Sequence, residues 1–199
     1  MAAPYIAELQ TAQWTSEAIR EAFRSNGFEV REWPLTQYLE KNIPADRIFF
    51  SPKFSKLFGL QYKAIYANRH DFWPLDSDQH KVLQNYPWIF YCCSELKDVS
   101  DHGMALHYAR FYRPRFKFRD ELANSIPFRH KGSVLYSRWG SFYRGLRECR
   151  VGVKVKTSKD LRDLLAPVSG MARLREVQQM REFLLADFDK KVLFAERTF

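Results

Sequence analysis

Residues 58–68 read FGLQYKAIYAN, and the alternation in this run decides what kind of strand it makes. Successive side chains of a strand point to opposite faces, so Gln61 and Lys63 share one face while Tyr62 and Ala64 take the other. A strand that reads as buried therefore carries two long polar side chains on the same side. Either that face meets water, or the pair belongs to a site.

Working outward from it, RIFF (47–50) is a strand bounded by Asp46 and the Ser51-Pro52 turn signal, and SPKFSKLFG (51–59) reads as a connection into the strand LQYKAIYA (60–67). Upstream, SEAIREAFRSN (16–26) sets Ala18, Ile19, Ala22 and Phe23 on one helical face, with Ser16 as N-cap and Gly27 as the left-handed C′ residue. FEVREW (28–33) alternates as a strand, and LTQYLEKNI (35–43) is a short helix. Downstream, DSDQHKVLQNY (76–86) is a helix, and WIFYCCSEL (88–96) is a continuous apolar run of buried-strand type. SDHGMALHYARFY (100–112) reads as helical with Ser100 as cap, and residues 113–134 as a long basic loop or hinge. A helix interrupted by Gly140 and Gly145 is expected over 136–149, and a strand over 150–157. A T-x-x-D capping box at Thr157 and Asp160 opens a helix over 157–167. A long amphipathic helix over 171–194 is apolar at Leu174, Val177, Met180, Leu184 and Phe188.

The first hundred residues thus run helix, strand, strand, strand, helix, strand, with an extra short helix after the first strand. This order, with the polar pair on the third strand, resembles the PD-(D/E)xK nuclease superfamily over about residues 16–96. That resemblance implies a mixed α/β, restriction-endonuclease-like central sheet flanked by helices. It also implies a nuclease-like core over 1–112, followed by a basic α+β C-terminal extension over 113–199. The family's acidic residue on the second strand corresponds to Asp46, and its (E/Q)xK element to Gln61-Tyr62-Lys63. The first-helix carboxylate that some members add corresponds to Glu17 or Glu21.

Those residue types suit phosphodiester cleavage. A divalent cation polarises the phosphoryl oxygen and helps generate hydroxide, and Mg²⁺ prefers oxygen ligands, often only one or two carboxylates. On this reading Asp46 anchors Mg²⁺ or Mn²⁺, with the Gln61 oxygen and Glu17 or Glu21 as further ligands. Lys63 holds the attacking water or neutralises charge on the phosphate. Glutamine in place of glutamate removes one negative charge and weakens cation affinity. Such a site also occurs in members that only bind, so the alternative is a non-catalytic nucleic-acid-binding or protein-interaction domain on the same scaffold. The plainest alternative makes Gln61 and Lys63 the solvent-facing residues of an amphipathic strand, and Asp46 a cap. A rival ExK, Glu95-Leu96-Lys97, follows the apolar strand, with Asp71, Asp76 and Asp78 upstream.

Charge supports a polyanionic partner. Thirty-two Lys and Arg against 23 Asp and Glu leave a net +9, which favours nucleic acid, DNA or RNA, an anionic membrane surface, or a phosphorylated ligand. The excess concentrates over 106–156, and Arg110, Arg113, Arg115, Lys117, Arg119, Lys154 and Lys156 are its candidate phosphate contacts. In HYARFYRPRFKFR (107–119) alternation favours a basic-faced strand with Phe116 and Phe118 inward. The three cysteines have no metal spacing and form no disulfide framework. His102 and His107 lie off the i, i+4 spacing of a helical metal pair, and no phosphate-binding or nucleophile-elbow glycine motif is present. The N-terminal residues carry no secretory pattern and no apolar run is long enough to span a bilayer, so the chain reads as cytoplasmic, with no membrane partner.

Overall fold

In the computed structural model, which describes residues 3–40, 43–67, 71–116, 125–129, 135–165 and 174–185, the quoted run ends a strand with neighbours on both edges. This strand, β3 (Lys56–Lys63), is buried along all eight residues. On one edge it pairs antiparallel with β2 (Arg47–Ser51), from Arg47↔Leu60 to Ser51↔Lys56. The other edge is divided. Gly59–Lys63 pairs parallel with β5 (Ile89–Ser94), while Lys56 and Leu57 pair antiparallel with β9 (Val153–Lys154). Beyond β2 lies β1 (Arg31–Pro34), and beyond β5 lie β6 (Ala109–Tyr112) and β8 (Tyr136–Ser137). β4 (Trp73–Asp76) and β7 (Ser125–Phe128) form a separate two-stranded ribbon. The protein is therefore mixed α/β, with a mostly antiparallel central sheet.

Helices cover both faces of that sheet. Phe58, Leu60 and Tyr62 of β3 pack with Phe90, Cys92 and Phe111 against α1 (Glu8–Ser25) and α5 (Trp139–Arg147). Leu57, Ile89, Tyr91 and Cys93 point the other way. There they meet α2 (Gln37–Glu40), α3 (Ser77–Leu83), α6 (Ser158–Leu164) and α7 (Leu174–Leu185) through Leu39, Leu83, Leu161 and Met180. Residues on both sides of position 112 thus share each core. Gln61 and Lys63 lie on this second face, only 2% and 9% exposed, so the reading of them as solvent-facing residues is set aside.

α1 begins eight residues before the helix expected from Ser16. Its buried stripe continues upstream through Ala12, Thr11, Thr15 and Ser16, small or polar residues that hydrophobic periodicity does not register. Ser16 is no cap. Its Oγ lies 2.8 Å from the hydroxyl of the fully buried Tyr62. The other end is as expected: Gly27 at φ +72° closes a Schellman turn, its N–H donating to Arg24 O and that of Phe28 to Phe23 O.

Other expectations change. Over 100–112 a 3₁₀ turn (Val99–Met104), capped by Asp98, leads into the short α4 (Ala105–Tyr108), and Ala109–Tyr112 becomes a strand on β5. Tertiary pairing takes the alternating ARFY out of the helix. α5 runs unbroken through Gly140 and Gly145. The 150–157 strand shrinks to two residues, and the strand expected from residue 60 starts at Lys56, directly after the turn at 52–55. The capping box of Thr157 and Asp160 is formed. Val177, Met180 and Leu184 of α7 are buried against the domain. The Leu174 side chain and Phe188, like Phe118, lie outside the described residues.

Candidate active site

Asp46 stands one residue before β2, and its backbone extends the β2–β3 ladder by donating N–H to Leu60 O at 2.9 Å. Beyond that point, among the described residues, β3 has no strand on this edge. The Asp46 side chain takes over: Oδ2 accepts the Tyr62 N–H at 2.5 Å, and Oδ1 accepts Gln61 Nε2 at 2.8 Å. Two residues further along the same edge, Glu8 Oε2 accepts the Ala64 N–H at 3.4 Å. Its Oε1 faces Lys63 Nζ at 3.4 Å. Two carboxylates thus stand at successive ladder positions, about 7 Å apart along the strand.

Of the three residues expected together, the structure joins Asp46 and Gln61 by a hydrogen bond and turns Lys63, next along the same face, to Glu8. It places the first-helix carboxylate differently. Glu17 accepts from Gln13 at 3.2 Å and Glu21 pairs with Arg24 at 2.5 Å, and both line an open cleft of about 770 Å³ with Trp14 and His102. The carboxylate of α1 that reaches Lys63 is Glu8, in the first turn. A helix expected from Ser16 leaves Glu8 outside it, and the polar upstream turns give hydrophobic periodicity nothing to register.

Electrostatics mark Asp46 out. Burial pushes its carboxyl up to about 7, Glu8 and Glu40 add to the rise, and the Tyr62 N–H and Lys63 oppose it. Burial also raises Glu40, against the pull of Lys63. Three carboxylates against one ammonium leave the cluster net negative. That charge and the oxygen-rich donor set fit a hard divalent cation. Among the described residues, however, no three His, Cys, Asp or Glu side chains converge on a common metal position. Asp46 and Gln61 are the residues that would hold the ion.

Gln61 is held in turn by an unanticipated neighbour. Gln79 Nε2 donates to Gln61 Oε1 at 3.1 Å, which directs the Gln61 amide nitrogen at Asp46. Gln79 is fixed on α3 by its own N–H donating to the capping Asp76 at 2.7 Å.

The rival pair is spent elsewhere. Glu95 is bound by Arg110 and by Arg138 at 3.0 Å, and Lys97 pairs with Asp71. Asp76 caps α3 and Asp78 pairs with Lys81. Of the upstream aspartates only Asp71 therefore meets the rival pair, through Lys97, while Glu95 is taken up by two arginines. His80 is buried between Tyr91 Oη and Phe116 O, and burial lowers its pKa, so it is a neutral packing residue. Of the proposed phosphate contacts, Arg113, Arg115, Lys154 and Lys156 are exposed, and Arg110 is partly buried in its pair with Glu95. Lys117 and Arg119 lie outside the described residues.

No described helix is long and apolar enough to cross a membrane. Comparison of the chain with protein-family models, with curated proteins and with solved structures returns no match.

Proposed function

We propose that this protein is a divalent-metal-dependent phosphodiesterase acting on nucleic acid, of the PD-(D/E)xK type, with Asp46, Gln61 and Lys63 at its centre and Glu8 completing the site. The observation that carries the reading is the Asp46–Gln61 contact at the end of β3, with Lys63 beside it on Glu8, within an α1–β1–α2–β2–β3–β4–α3–β5 order whose last strand runs parallel to β3. Mg²⁺ or Mn²⁺, when bound, supplies Lewis-acid polarisation of the phosphate and a more acidic water. Asp46 and Gln61 would hold the cation. Glu8 keeps the Lys63 ammonium at the strand end, where its remaining N–H donors face a phosphoryl oxygen as negative charge develops on it. The low exposure of β3 excludes bulk water from these groups.

Single- and double-stranded DNA and RNA, incubated with Mg²⁺ or Mn²⁺, test this directly. Cleavage is expected, and Asp46→Ala or Lys63→Ala should lower it by at least about a hundredfold. Cleavage that persists in both variants sinks the site assignment.

One observation favours a second reading. The Gln61 amide donates to Asp46, filling with a hydrogen bond the place a shared cation would take. A non-catalytic nucleic-acid-binding domain on this scaffold predicts binding that those variants retain and no metal-dependent turnover.

A further inference from the structure

On the α1/α5 face of the sheet, away from Gln61 and Lys63, a cleft of about 740 Å³ opens between α5, β8 and the segment after β6. Among the described residues four guanidinium groups line it, from Arg113, Arg115, Arg144 and Arg150, and no carboxylate does. All four are exposed at the rim, whereas Phe90, Phe111 and Phe142, between 1% and 2% exposed, form the floor. Two of the arginines are held in place. Arg113 lies over the Phe90 ring at 5.6 Å and donates to Arg150 O, and Arg150 pairs with Glu148. Arg115 and Arg144 have no acidic partner among the described residues. Leu135 stands at the mouth, 88% exposed.

A duplex presents phosphates on a convex ridge and has no use for an apolar floor. A cationic rim over an aromatic floor matches an unpaired nucleotide, whose phosphate meets arginine while its base lies on apolar and guanidinium planes. The cleft volume falls in the range that encloses a small organic ligand, about 300–1,000 Å³. We infer that this cleft binds an unpaired nucleotide of a nucleic-acid strand, the phosphate among Arg113, Arg115, Arg144 and Arg150 and the base over the Phe90 side of the floor. The proposal deepens the phosphodiesterase reading by naming single-stranded or frayed nucleic acid as its substrate class, and it rests on that reading only for the consequence of binding.

The test measures binding without turnover. Fluorescence anisotropy in EDTA follows a labelled oligothymidylate or oligouridylate of about a dozen nucleotides, a duplex of the same length, and unlabelled thymidine monophosphate as competitor. The expected result is tighter binding of the single strand than of the duplex. The double variant Arg115→Ala/Arg144→Ala should weaken strand binding about tenfold or more and flatten its log–log salt dependence by about 1.4. Both side chains are exposed, so thermal melting should be unchanged, and Arg115→Ala alone is the fallback should the double variant not fold. Unchanged strand affinity in the variants overturns the proposal, as does equal loss on duplex and strand. Competition by the free nucleotide as strong as that by the strand, nucleotide for nucleotide, assigns the cleft to a soluble nucleotide and overturns it too. Strand binding lost in the variants, with no cleavage by the wild type in Mg²⁺ or Mn²⁺, removes only the phosphodiesterase reading. Cleavage with unaltered binding removes only this one.

Discussion

At the scale of single residues, Gln61 carries most of the chemistry. As glutamine it donates an N–H to Asp46 and accepts from Gln79, so both Asp46 oxygens are hydrogen-bonded without a cation. To offer its oxygen to an ion, the Gln61 amide has to turn over, and Gln79 has to turn with it to keep both amides paired. A glutamate at 61 removes that arrangement and sets two carboxylates side by side. We expect Gln61→Glu to be less stable than wild type by on the order of 2–3 kcal/mol in EDTA, and to regain most of that deficit in Mg²⁺. Thermal melts with and without the cation check this; an equal deficit in both argues against a cation at Asp46.

Element by element, the legibility of the sequence followed what each signal measures. RIFF and WIFYCCSEL were plain because dense β-branched and aromatic side chains mark buried strands wherever they pair. The N-terminal half of α1 was not, because its buried face is threonine, serine and alanine, and with it went Glu8. Asp46, Gln61 and Lys63 are named through the family resemblance that the strand order and the polar pair suggest, not by pattern alone. Glu40 and Gln79 reach the cluster only through tertiary packing, for which one sequence holds no sign. β9 is a case where local pattern overstated length. RVGVKVKT alternates over eight residues, but Gly152 at φ +72° turns the chain onto β3, and a Cβ there would lie 2.7 Å from Leu57 O. Gly152→Ala is therefore expected to cost roughly 1–3 kcal/mol, read from urea denaturation midpoints.

For the molecule as a whole, the cluster around Asp46 couples stability to pH. Its carboxyl titrates near 4 when unfolded and about 7 when folded, so the folded state holds the proton more tightly. The stability this contributes is complete below pH 4 and is lost as pH rises to about 7, by roughly 1.4 kcal/mol for each pH unit of that window. Asp46→Asn should flatten this part of the metal-free stability profile and melt higher than wild type at pH 8. Mg²⁺ should stabilise wild type more at pH 8 than at pH 5, since cation and proton compete for one carboxylate. Differential scanning calorimetry across that range checks both, and a profile unchanged by Asp46→Asn would mean that the group titrates normally.

The divided edge of β3 also bears on how the chain is made. Synthesis delivers β2 before β3 and β5 some thirty positions later, but the partner of Lys56 and Leu57 is β9, nearly a hundred positions downstream. A nascent chain that has emerged only as far as β6 leaves the backbone of those two residues without a strand on that side. Such an open edge is a template for pairing between molecules. Until β9 arrives, the hazard falls on the same strand that carries Gln61 and Lys63.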